Sequence, residues 1–147
     1  MKSAVAVFAI GLLLAGCASS TPSSGPDVQI HLQQVSGPPD VFYYAGPVNI
    51  QYRVSITNPT PEPLTLTRLD LQTIGPGAYS LRTEATPMNL KVPANSSASY
   101  LISVWGRARG GYLASTEPVT LHGTAFFRSD VSKKSFVRIF TENIIPA

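Results

Sequence analysis

Val48-Asn49-Ile50-Gln51-Tyr52-Arg53-Val54-Ser55-Ile56-Thr57, closed by Asn58-Pro59, decides the fold. Its apolar side chains fall at every second position and the polar ones between them. That is the period of a strand with one buried face, not the 3.6 of a helix. The run stops where Pro59, Pro61 and Pro63 fall within five residues, because proline cannot donate to a sheet ladder.

The same period holds on both sides of this strand. Upstream, Val28, Ile30 and Leu32 alternate with Gln29, His31 and Gln33, and Ser36 to Asp40 breaks the run. Val41-Phe42-Tyr43-Tyr44, closed by Gly46-Pro47, reads as an aromatic loop packed over the core or as a brief edge segment. Downstream, Leu64 and Leu66 are in one phase and Leu69 and Leu71 in the other. A slip of one residue near Arg68 therefore predicts a β-bulge or a strand crossing between sheets. After the turn Gly75-Pro76-Gly77, a short strand starts at Tyr79 and Leu81. Met88, Leu90 and Val92 form the next, between Pro87 and Pro93, and Ala98, Tyr100, Ile102 and Val104 another. Gly106 to Gly111 reads as a flexible loop, Val119 to Phe127 as a strand, and Ser129 to Lys133 as a hairpin turn. Phe136 to Ile145 is a last strand, apolar on both faces. Seven or eight short strands separated by turns predict an all-β protein, a single antiparallel β-sandwich of immunoglobulin or fibronectin-III type with Greek-key connections.

Composition agrees. Charged residues are only 13% of the chain, about half the usual share, and thirteen prolines suit tight turns rather than a helical bundle. The formal charge of +3 is too small and too scattered to point to nucleic acid.

The N-terminus has a different texture. Lys2, the apolar run Val5 to Leu14 and the small residues Ala15 and Gly16 form the three parts of an export signal. The apolar run is well short of the roughly 20 residues that cross a bilayer. Leu14-Ala15-Gly16-Cys17 resembles the lipobox of bacterial lipoproteins, which implies a lipid on the sulfur of Cys17 and cleavage before it. Ordinary secretion, with Ala18 or Ser20 as the exit residue, is the alternative. Cys17 is the single cysteine of the chain, so the fold rests on its hydrophobic core and not on a disulfide. Ala18 in place of an aspartate after the cysteine implies, by likeness to that family, the outer membrane, on its periplasmic face. The expected organisation is thus a signal peptide over 1–16, lipidated cysteine and tether over 17–26, and the sandwich over 27–147. The nine tether residues Ala18 to Pro26 span about 30 Å when extended.

A second resemblance lies within the domain. Val54-Ser55-Ile56-Thr57 runs into Asn58-Pro59. Then come Pro63-Leu64-Thr65-Leu66, Leu90 to Ser97 with Pro93 and Ala94, and Leu121-His122-Gly123-Thr124-Ala125-Phe126. Together these are similar to the late-embryogenesis-abundant type 2 (LEA type 2) domain. The resemblance covers roughly 27–145, departs from the family pattern over 75–85, and implies a seven-stranded sandwich without a catalytic site. It also implies that Asn58 bonds the local backbone while Pro59 ends the strand. Members are associated with stress protection.

No residue pattern nominates chemistry. His31 and His122 lie on different predicted strands, too few to hold a metal without cysteine ligands. There is no Gly-x-Ser-x-Gly turn, and Gly75-Pro76-Gly77 opens no helix that would cradle a phosphate. Asp40, Glu62, Asp70, Glu84, Glu117 and Asp130 all fall in or beside predicted turns, where acids serve local hydrogen bonds. No catalytic residue, metal or cofactor is expected beyond the lipid on Cys17. The one candidate partner-binding loop is Trp105-Gly106-Arg107-Ala108-Arg109-Gly110-Gly111-Tyr112. Trp105, Arg107, Arg109 and Tyr112 are types enriched at interface hot spots. The competing reading, which the residue types favour, has Trp105 and Tyr112 capping the core and the arginines solvated. The expected role is a non-enzymatic lipoprotein. It binds an envelope protein, polymer or lipid through its sandwich, or protects the envelope under stress. An accessory subunit of a secretion or pilus assembly is the alternative, and a cell-envelope hydrolase a third.

Overall fold

A computed structural model describes residues 25–37, 45–82, 84–110 and 117–145. The export signal, Leu14, Ala15, Gly16, Cys17, most of the tether, Val41 to Tyr44 and Tyr112 lie outside the described residues.

Eight strands form two four-stranded sheets. They are β1 (Gln29–Ser36), β2 (Gly46–Asn58), β3 (Leu64–Ile74), β4 (Tyr79–Ser80), β5 (Glu84–Val92), β6 (Ser96–Ala108), β7 (Val119–Ser129) and β8 (Ser135–Ile144). The first sheet has the order β1-β2-β6-β4 and the second β5-β3-β7-β8, with every pairing antiparallel. This is the all-β sandwich expected from the alternation.

β2 is the central strand of the expectation and of the structure. Ile50, Tyr52, Val54 and Ile56 are all fully buried, while Gln51 and Arg53 are exposed. Facing them from the second sheet are Leu64, Leu66, Leu69, Leu121, Ala125 and Phe127, each 1% exposed or less. The phase slip in β3 is a bulge. Against β7 the register steps from Leu66↔Phe127 to Arg68↔Phe126, so Thr67 is the extra residue of β3, whereas against β5 it steps from Leu66↔Leu90 to Arg68↔Pro87 and the extra residue is on β5. The bulge at Thr67 allows Leu64 and Leu66 to share a buried face with Leu69 and Leu71. Thr67 Oγ1 donates to the Phe126 carbonyl at 3.0 Å.

At Gly123, a Cβ would stand 2.1 Å from the Phe140 ring, so only glycine admits that ring over β7. Phe127 and Phe136 stack with centroids 5.3 Å apart. The side of the sandwich where β1 meets β8 is closed by charge. Arg138 reaches Asp27 at 2.6 Å, and Glu142 contacts His31 Nδ1. Charged side chains directed inward on an edge strand deter pairing with another sheet.

The Asn58-Pro59 corner has the geometry that the LEA type 2 resemblance implies. Asn58 is fully buried. Its Nδ2 donates to the carbonyls of Glu62 (2.9 Å) and Pro93 (3.0 Å). Its Oδ1 accepts from Thr60 N (3.0 Å) and Thr60 Oγ1 (2.7 Å). Thr60 O in turn accepts from Asn95 N, a residue at φ 49°. One amide thus ties the β2–β3 turn to the β5–β6 turn.

Three expectations need correction. Gly106 to Ala108 belong to β6, not to a flexible loop. Pro87 lies inside β5, which an edge strand tolerates because the lost donor faces away from the sheet. Asp70 sits in mid-strand on β3 rather than beside a turn, and its Oδ2 accepts from Arg68 at 2.8 Å.

Candidate functional site

The sandwich has two poles. At one, Pro26 arrives from the tether beside the β2–β3 and β7–β8 turns. There, a recess of about 300 Å³ is lined by Pro26, Thr60, Glu62, Ser129, Ser132 and Phe136, among others. Several of its polar atoms are bonded to one another. Glu62 Oε2 accepts from Ser132 Oγ (2.8 Å) and from Ser129 Oγ, and these two bonds hold its carboxyl below the usual range. Ser129 Oγ accepts from the N–H groups of Val131 and Ser132. The arrangement clamps a hairpin turn. The lowered pKa of Glu62 makes its carboxylate a weak base toward either hydroxyl.

The other pole carries Trp105, Arg107 and Arg109 of the predicted binding residues, arranged differently from the expectation. The register Asn49↔Trp105 and Pro47↔Arg107 runs unbroken, so β6 holds its alternation through Gly106 and Ala108. Even-numbered side chains turn inward and odd-numbered ones outward. Gly106 is on the inward set because a Cβ there would stand 2.8 Å from both Ile50 Cδ1 and Leu81 Cδ2. Its role is close packing. Trp105 consequently stands on the outer face, 60% exposed, and does not cap the core. Arg107 is likewise exposed. Arg109 is held differently, its Nη2 donating to the Gly75 carbonyl at 3.2 Å.

Trp105 and Arg107 line an open groove of about 470 Å³ with Pro47, Gly106, Ser80 and Arg82. Sequence reasoning missed Pro47, Ser80 and Arg82. They come from β2, β4 and the segment after β4, and the pairings Pro47↔Arg107 and Ser80↔Arg107 bring them to Trp105. The strands of this sheet carry Arg53, Arg107 and His31 and no carboxylate at all. The rest of its outer face is largely hydroxyl and amide with Leu101 and Val35 also exposed, and Ser55 is bonded to Ser99 (2.9 Å) and Thr57 to Ser97 (2.8 Å). The groove therefore offers an aromatic face, two guanidinium forks and uncharged hydrogen-bonding groups. That set suits a ligand that is flat or ring-bearing and negatively charged.

The chain is similar in structure to solved proteins of low sequence identity. The X-ray structure of a structural-genomics target, SoR45, superposes with a TM-score of 0.53 at 13% identity, over 80% of this chain and 84% of that one. A crystal structure of a protein from Archaeoglobus fulgidus gives 0.45 at 10% identity, over 78% and 91%. The solution structure of a protein classed as late embryogenesis abundant gives 0.39 at 8% identity, over 81% and 72%. The likeness to SoR45 is one of fold alone. No protein family and no curated protein matches the sequence.

Beneath the same pole lies a buried polar chain that alternation alone does not reveal, because Tyr52 is in phase with valines and isoleucines. Tyr52 Oη donates to Tyr79 Oη (2.6 Å), which donates to Gln34 Oε1 (2.8 Å). Burial pushes the Tyr79 hydroxyl up to about 12 and that of Tyr52 higher still. Both remain neutral donors at any physiological pH. The histidines sit apart, His31 on β1 of one sheet and His122 on β7 of the other. Among the described residues no three metal-ligating side chains converge.

Proposed function

We propose that this chain is a lipid-anchored, non-enzymatic binding protein of the bacterial outer membrane, facing the periplasm, with a sandwich of LEA type 2-like kind. In this reading Cys17 carries the lipid. The groove at Trp105 takes a negatively charged envelope partner.

One observation carries the reading. The exposed Trp105, between Arg82 and Arg107, stands at the pole opposite Pro26 on a sheet whose strands hold no acid. From Ser96, at the tether pole, to Trp105 is nine residues of strand, about 30 Å at the usual rise. The tether adds about as much again. A lipid at Cys17 then holds the groove clear of the bilayer and within reach of polymer or protein in the space beyond. Two or three acyl chains suffice for a stable anchor, since each buried methylene contributes about 0.8 kcal/mol.

Cys17→Ala tests the anchor. The protein leaves the membrane fraction on this account, and tight retention in that fraction contradicts it. Arg82→Ala combined with Arg107→Ala tests the groove. Both side chains are exposed, so thermal stability stays unchanged while binding to isolated envelope material is lost. A fall in stability with binding intact contradicts the assignment.

A further inference from the structure

Three of the four outermost strands are protected against pairing with foreign backbone, and one long stretch of sheet edge is not. On one side of the sandwich, β1 and β8 are closed by Arg138–Asp27 and His31–Glu142. On the other side, β5 carries Pro87 and Lys91. The first sheet, however, ends in β4, which is two residues long and pairs only with Arg107 and Ala108 of β6. Among the described residues, nothing pairs with that edge of β6 over 96–106. Those residues read Ser-Ser-Ala-Ser-Tyr-Leu-Ile-Ser-Val-Trp-Gly, with neither charge nor proline. An edge of that length and composition is a template for another strand.

The register says which backbone groups are free. Arg109 donates its N–H to the Ala78 carbonyl across the β4 edge. In a strand, alternate residues turn both backbone groups to the same side, and the β2–β6 register has no irregularity. Ser99, Leu101, Ser103 and Trp105 therefore point their N–H and C=O groups outward from the sheet edge, whereas Ala98, Tyr100, Ile102 and Val104 bond to β2.

The second sheet shows what fits there. Stacking β1 over β8 sets β6 over β3, and β5 then extends beyond β6 to face the position that β4 fills only at one end. A narrow apolar crevice runs along this mouth, lined by Leu69, Leu71, Thr86, Met88, Ile102 and Val104 among others. Among the described residues, no strand of the first sheet stands opposite most of β5.

We infer that the β6 edge accepts one extended peptide segment of a partner protein as an added strand, with alternate apolar side chains turned toward Met88 and Ile102. The overhang of β5 decides against a second copy. Pairing β6 to β6 across a two-fold axis would place the second sandwich's β3 where β5 already stands. A lone segment meets no such obstacle. Main-chain bonds supply the affinity and alternate side chains the selectivity. The inference does not depend on the lipid or on what fills the Trp105 groove.

The test is residue-resolved amide exchange on the full chain, alone and with a short acetylated peptide alternating threonine and valine. Without peptide, the amides of Ser99, Leu101 and Ser103 exchange much faster than those of Ala98, Tyr100 and Ile102. Saturating peptide slows the first set by about tenfold or more and leaves the second set unchanged. Ser103→Pro removes one free-edge donor without touching the β2 ladder, and it abolishes the effect at unchanged melting temperature. A peptide with a central proline, which needs no variant, has no effect on the wild-type chain. The inference is overturned if the odd-numbered amides are already as slow as the even ones. It is equally overturned if the proline peptide protects them as well, or if they become protected through dimerisation without peptide.

Discussion

Replacing Asn58 with alanine should cost this fold more than removing any exposed polar side chain, and the cost can be worked out atom by atom. The amide is fully buried and makes four contacts of 3.0 Å or less. Of its partners, Glu62 O keeps a second donor in Thr60 Oγ1. Pro93 O and Thr60 N lose the partners shown for them. Each stranded buried group costs about 1–3 kcal/mol, so with a small cavity the sum is about 3 kcal/mol. For a domain of this size, that lowers the melting temperature by about 4 °C per kcal/mol, or about 12 °C. Urea unfolding followed by circular dichroism gives the free energy. Asn58→Asp sharpens the test. It retains the acceptor but aims a carboxylate oxygen at the carbonyls of Glu62 and Pro93, which raises its pKa in the folded state. The penalty is then largest at neutral pH and is relieved as pH falls through that raised value. A loss below about 0.5 kcal/mol for Asn58→Ala, within the ordinary range for surface changes, would refute the corner as the tie between the two turns.

Other outcomes follow from the same geometry. Tyr79→Phe strands both the Tyr52 hydroxyl and Gln34 Oε1, whereas Tyr52→Phe leaves the Tyr79–Gln34 bond intact. Equilibrium unfolding should show the first variant less stable than the second by about 1 kcal/mol. The folded-state pKa of Tyr79, about 12, exceeds the ordinary 10.0, and that of Tyr52 is also raised. The unfolded chain therefore loses these protons first. Stability should be complete below pH 10 and fall between pH 10 and 12, by about 1.4 kcal/mol per pH unit for each tyrosine. Tyr52→Phe should halve that slope. Gly123→Ala forces the Phe140 ring off β7 and should cost about 1–3 kcal/mol by thermal unfolding.

Much of this was legible in the chain because alternation is local. β2, the slip at Arg68 and the stop at Asn58-Pro59 can each be read within a dozen residues. What alternation cannot say is which sheet a strand joins, since period two is the same in both. The pairing of His31 with Glu142, or of Ser80 with Arg107, joins residues far apart in the chain and leaves no local mark. Trp105 was misread for a physical reason. Glycines and arginines after a tryptophan have the composition of a loop. Yet Gly106 and Ala108 are the next two inward positions after Ile102 and Val104, and Ile50 and Leu81 leave no room for a side chain at Gly106. Counting the phase forward puts Trp105 outside. Arg82 and Pro47 had no such route, because only the folded sheet brings them to the groove. The Cys17 motif remains a statement of sequence, and the fractionation of Cys17→Ala decides it.

Trp105 is the single tryptophan of the chain, so its fluorescence reports on the groove alone. The most direct measurement is acrylamide quenching of the full-length protein, before and after adding a purified anionic envelope polymer. The account predicts the red-shifted, readily quenched emission of an exposed indole in the free chain. Polymer should shift it to the blue and shield it, and Arg82→Ala with Arg107→Ala should abolish both effects. The emission of a buried indole in the free chain, or shielding that survives the loss of both arginines, would contradict it.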